Sequence, residues 1–104
     1  MSLALRGAAR ARSDEAVAAS KAQDDALAAL DLARRAKVAE DAGYKRFWVA
    51  EHHASEGIAG GPTAVVISHI GHVTATIRIG AGGIMLPNHN PFVIAEQFGA
   101  LDAL

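Results

Sequence analysis

Ala39-Glu40-Asp41-Ala42-Gly43-Tyr44-Lys45-Arg46-Phe47-Trp48-Val49-Ala50-Glu51-His52-His53 is the stretch on which the reading of this chain turns. It opens as the end of a helix. Upstream, Ala29, Leu32, Ala33, Ala36 and Ala39 recur on one helical face. Asp31 with Arg35, and Lys37 with Asp41, place opposite charges one turn apart on the other side. Asp24 or Asp25 suits the start of that helix, as an acceptor and a negative charge at its N-terminal end. Gly43 sits where a left-handed residue ends it. Phe47-Trp48-Val49-Ala50 is then a short apolar run with β propensity, which predicts a buried parallel strand.

The same alternation repeats toward the C-terminus. Residues 51–61 form a loop with three glycines, and Pro62 suits the first turn of a second helix running to about Ala75 through Val65, Val66, Ile67 and Ile70. Thr76-Ile77-Arg78-Ile79-Gly80-Ala81 predicts a second strand, followed by a loop over residues 82–90. Asn90-Pro91 caps a third helix carrying Phe92, Ile94, Ala95, Phe98 and Leu101. The order helix-strand-helix-strand-helix predicts an α/β fold with parallel strands. Two strands do not make a stable parallel sheet, so more chain or more copies are expected. Residues 1–23 are rich in Ala, Arg and Ser with few large apolar groups, and are expected to be a leader, disordered or weakly helical. The folded unit is expected over residues 24–104.

Composition narrows the function classes. A chain of 104 residues allows one small domain. A net charge of -1 and a pI near 6.5 supply no attraction for nucleic acid or an anionic membrane. Without cysteine there is no disulfide framework and no thiolate metal site, which fits a cytoplasmic location. No run approaches the roughly 18 apolar residues of a membrane span. The N-terminus lacks the apolar region of a secretory signal. Much of the apolar content is alanine, which favours helix but buries little area per residue.

Parallel α/β proteins place their sites beyond the carboxyl ends of the strands. Two unusual segments fall there: Glu51-His52-His53, and Gly82-Gly83-Ile84-Met85-Leu86-Pro87-Asn88-His89-Asn90-Pro91. Adjacent histidines can supply a general base, a hydrogen-bond donor or a metal ligand, or can simply be loop residues. Glu51 is close enough to join a ligand set, but consecutive residues of an extended segment point in opposite directions, so no metal site is expected. His69 and His72, three apart on the second helix, lack an evident third ligand and are expected as helix-surface rings. Gly80-Ala81-Gly82-Gly83 is not a dinucleotide fingerprint, whose last glycine would fall at Met85. Its glycines instead permit a flat ligand to approach the backbone, or form a bulge.

Taken together, the stretch from Ala39 to His53 resembles the first helix, second strand and following loop of the bacterial luciferase-like flavin-dependent monooxygenases. The run Ile77-Arg78-Ile79-Gly80-Ala81-Gly82-Gly83-Ile84-Met85-Leu86-Pro87-Asn88-His89-Asn90-Pro91 is similar to their third strand and its loop, and Ala95-Glu96-Gln97-Phe98-Gly99-Ala100-Leu101-Asp102 to the next helix. Gly57-Ile58-Ala59 resembles a segment of the FMN-type members. The resemblance implies a partial TIM (β/α)8 barrel and an oxidoreductase that uses reduced FMN and O2 on a small organic substrate, with coenzyme F420 as the alternative cofactor. It further implies a partner flavin reductase.

Carried onto this chain, the resemblance makes His52 the catalytic histidine, with Glu51 and His53 as its active-site neighbours. The backbone of Ala81, Gly82, Gly83 and Ile84 becomes the flavin platform, and Gly82-Gly83 falls where the family often has a cis peptide. Two departures stand out: residues 1–23 contain no apolar first strand, and the chain stops at Leu104, well short of the roughly 250 residues usual for this barrel. The expectation is a truncated N-terminal fragment, inactive alone, without the phosphate site, and associating as a homo-oligomer through exposed sheet edges. A non-enzymatic α/β interaction module, or a metal-dependent hydrolase built on His52 and His53, are the competing readings.

Overall fold

The computed structural model describes residues 3–53 and 62–104. It contains α1 (Leu3–Asp41), β1 (Arg46–Val49), α2 (Thr63–Val73), β2 (Arg78–Ala81), a 3-10 turn (Leu86–Asn88) and α3 (Pro91–Ala103). The Gly57-Ile58-Ala59 segment lies outside the described residues. Among the described residues, no helix is long and apolar enough to cross a membrane.

α1 does not begin at Asp24; it runs unbroken across residues 3–41. From Ala8 to Ala42 there is neither glycine nor proline, and alanine, the strongest helix former, dominates, so nothing interrupts the backbone. Packing, however, starts late. The described side chains before Ala28 are exposed, whereas Ala33 and Ala36 are buried and Ala28, Ala29 and Leu32 lie against the core. Asp31 pairs with Arg35 at 2.8 Å and Lys37 with Asp41 at 2.9 Å, as the spacing predicts.

The helix ends on Gly43, at φ 87°. Gly43 N–H donates to the Glu40 carbonyl and Tyr44 N–H to that of Ala39, a complete Schellman closure. An added Cβ at Gly43 would meet nothing within 4 Å. Gly43→Ala is therefore expected to cost only the left-handed backbone penalty, about 1–2 kcal/mol. Urea unfolding followed by circular dichroism measures it, and an unchanged midpoint would contradict the cap assignment.

β1 and β2 pair in parallel, Phe47 opposite Ile79 and Val49 opposite Ala81. α2 connects them, preceded by Pro62, whose carbonyl accepts from Val65 and Val66 N–H. Pro62 thus stands just ahead of the helix, not within its first turn. Val66, Ile67 and Ile70 of α2 close the core with Val49, Ala33 and Ala36. Phe47, Ile79 and Ala81 line the same side of the sheet. α3 begins at Pro91, with the Asn90 side chain accepting from Phe92 N–H at 2.9 Å, and contributes Phe98 and Leu101.

The expected burial of β1 holds for one face only. Trp48 is 66% exposed, and Arg46 and Arg78 are exposed beside it. Strand side chains alternate, and the helices cover only the face of Phe47 and Val49. On the uncovered face the Trp48 ring lies over Gly80, where a Cβ would stand 3.4 Å from it.

Glu40 ties α1 to the turn before β2. Its Oε1 accepts from the N–H groups of Ala75, Thr76 and Ile77 at 2.7, 2.6 and 3.0 Å, and its Oε2 from Lys37 at 2.9 Å. The Thr76 and Ile77 N–H groups, then Lys37 and Ala75, hold its carboxyl far below the usual range. A negative charge at a helix C-terminus is ordinarily unfavourable; here it is offset by these donors.

Candidate active site

Past the end of β1, Glu51 is buried, Ala50 and His52 are exposed, and His53 returns to meet Glu51. Glu51 turns inward, its side chain only 1% exposed. One oxygen, Oε2, accepts from Met85 N–H at 2.6 Å. The other, Oε1, meets Nε2 of His53 at 2.7 Å and Nε2 of His89 at 2.5 Å. Met85 N–H, then His89 and His53, lower the Glu51 pKa to about 2 against the opposing effect of burial. This carboxylate clasps the loop after β1 to the loop after β2.

His52 is exposed, and no hydrogen bond joins it to a described residue. Trp48 and Ala50, four and two residues before it, are exposed as well. The second segment provides a strip of bare backbone. Gly82 N–H donates to the Val49 carbonyl at 2.7 Å, continuing the ladder past β2. Gly83 has φ 151°, a conformation that side-chain-bearing residues rarely adopt, and nothing stands within 4 Å of where its Cβ would be. Gly82 and Gly83 are exposed, and Ala81 and Ile84 half-buried. With Ala50, Glu51 and Met85, the segment from Gly82 to Ile84 lines a hollow of about 230 Å3.

The Gly82-Gly83 peptide is trans, as are all described peptide bonds, in contrast to the cis bond that the resemblance implies. The positive φ of Gly83 is a conformation that glycine reaches without a Cβ penalty. His89 is the residue that sequence reasoning passed over. It stands in the quoted motif, but 38 positions separate it from Glu51, and no spacing rule joins them. His69 is half-buried and His72 exposed on α2, away from this cluster.

The ligand-type atoms of Glu51, His53 and His89 lie within 4.8 Å of one another. Their N···O separations of 2.5–2.7 Å are those of hydrogen bonds. Donors sharing a tetrahedral zinc at 2.0–2.1 Å would stand about 3.3 Å apart.

Parallel strands joined by a helix, with polar groups gathered past their carboxyl ends, are arranged as in one part of a (β/α)8 barrel. Residues 7–104 match the luciferase-like monooxygenase family, and the chain belongs to it. It is 60% identical over 75 residues to the uncharacterised protein YvbT of Bacillus subtilis (strain 168), covering 72% of this chain and 21% of that protein. A luciferase-like monooxygenase of Escherichia coli (strain K12) is 51% identical over 85 residues, 82% of this chain and 24% of that protein. The crystal structure of apo-MsnO8 superimposes with a TM-score of 0.64 at 40% identity, over 74% of this chain and 22% of that one. The chain thus spans less than a quarter of the length of these relatives.

Proposed function

We propose that this chain carries part of the active site of a flavin-dependent monooxygenase that uses reduced FMN and O2 on a small organic substrate. The observation that carries the reading is the strip past β2 that is exposed and bare of side chains at Gly82 and Gly83, with the exposed His52 past the end of β1. Such a strip accepts a flat ring at close range. Bound reduced flavin would supply the electrons for activating O2. Ala81, Gly82, Gly83 and Ile84 would hold the ring, and coenzyme F420 is the alternative occupant. His52 is the catalytic residue in this reading, free to hold or move a proton because no described residue engages it. Glu51 and His53 brace the loop beside it.

The proposal extends to the setting. Residues 24–104 form the barrel portion, where core contacts gather, and residues 1–23 are a leader. The protein is cytoplasmic and receives reduced flavin from a reductase. This stretch, under a quarter of its relatives' length, is expected to turn over no substrate by itself.

Titration of FMN with the purified chain, followed by quenching of flavin fluorescence, tests the site. Saturable binding is expected, weakened about threefold to tenfold in His52→Ala, the worth of one hydrogen bond. No quenching at any attainable concentration would sink the reading. The open face of Trp48 and the unpaired strand edges also predict a homo-oligomer. Size-exclusion chromatography with light scattering checks it, and a monomer at all concentrations would refute it.

A further inference from the structure

Glu51 presents one oxygen to two imidazoles, and this arrangement limits where their protons can be. Oε2 is already engaged by Met85 N–H, a group that can only donate. Oε1 receives Nε2 of both His53 and His89. An ionised carboxylate only accepts hydrogen bonds, so each Nε2 must carry a hydrogen. In a neutral ring Nδ1 then bears the lone pair.

The two histidines are not equivalent. The His89 side chain is 29% exposed and borders a hollow of about 210 Å3, lined also by Thr63, Val65, Ile84 and Phe98. Its Nδ1 makes no hydrogen bond to a described residue. Among the described residues, the ionisable groups that meet its ring are Glu51 and His53, the latter with ring centres 6.3 Å apart.

We propose that His89 is a proton-transfer residue of this site, exchanging its proton at Nδ1, and that Glu51 is the positioning residue that fixes its tautomer. Uptake adds a proton to Nδ1 and leaves Nε2–H on Glu51, so the imidazolium forms next to a negative charge that compensates it. Release reverses the step from the same atom. A carboxylate orienting an imidazole in this way is a recurrent device of acid–base catalysis. Here the carboxylate also joins the two loops, so ring orientation and loop geometry are set together. The inference rests on the monooxygenase reading only for the use to which the proton is put.

Nitrogen-15 NMR of the histidine-labelled full chain, in mildly alkaline solution without flavin, reads the tautomer directly. For His89 the expected pattern is a protonated Nε2 and an unprotonated Nδ1. Glu51→Gln should shift both resonances toward a mixture with the Nδ1–H form, whereas His53→Gln should leave them in place. Should Glu51→Gln fail to fold, the wild-type spectrum still decides: a His89 proton on Nδ1 overturns the proposal. So does an equimolar Zn2+ addition that replaces both Nε2 protons by metal, which would make the cluster a cation site. Absence of FMN binding with the tautomer as stated would strike the flavin reading and leave this one standing.

Discussion

Ile70→Ala is expected to lower the stability of the fold by about 2–5 kcal/mol, the usual cost of emptying a closed aliphatic site. Among the described residues, Ile70 is the largest side chain that is completely buried, and it sits where α2 meets Ala33 and Ala36 of α1. Alanines on the facing helix cannot lengthen to fill the gap, so the cavity stays. Small domains have net stabilities of only about 5–15 kcal/mol, and this core is assembled from few large residues. The variant should be partly unfolded at room temperature. Ile70→Val should lose only about 0.5–1.5 kcal/mol. Urea titrations followed by circular dichroism separate the two, and equal midpoints would mean that the core around Ile70 is not closed.

The second large effect is expected in acid. Glu51 has a folded pKa of about 2 against an ordinary 4.5, and Glu40 is lowered further by its backbone donors. A depressed folded pKa means that the unfolded chain binds more protons at low pH. The stabilisation from both groups is therefore complete above about 4.5 and is lost as pH falls. Glu51's share is gone once pH has passed through about 2, and Glu40's persists lower. Each carboxylate accounts for at most one proton of the difference. Glu40→Gln and Glu51→Gln should each flatten the acid limb of a stability-versus-pH curve by that one proton. An acid limb of unchanged slope in both variants would remove these carboxylates as its cause.

The two carboxylates also show where sequence reading stops. Both lie between Ala39 and His53, and no local spacing marks their distant partners. Glu40 meets donors 35 to 37 positions away, and Glu51 meets Met85 and His89 at separations of 34 and 38. Only the parallel pairing of β1 with β2 sets those groups side by side. His89 was invisible as a partner for the same reason. The start of α1 escaped for a different one: helix propensity acts through the backbone of every alanine, whereas the amphipathic pattern marks only the part that packs. A reading based on the stripe finds the packed segment and misses the helix that extends before it.

The local grammar was legible in the residues themselves. The alanine stripe, the ion pairs one turn apart, Gly43 at the helix end, the Asn90-Pro91 cap and the alternation of strands with helices depend on neighbours within a few positions. Their physics is therefore complete in a short window of chain. The family, too, was carried by contiguous motifs. Tertiary structure alone decided which face of β1 is covered. It also decided that the inward carboxylate gathers His53 and His89 while His52 stays apart. The covered face of β1 and the joining of His89 to Glu51 depend on contacts between segments more than thirty residues apart, which no local pattern encodes.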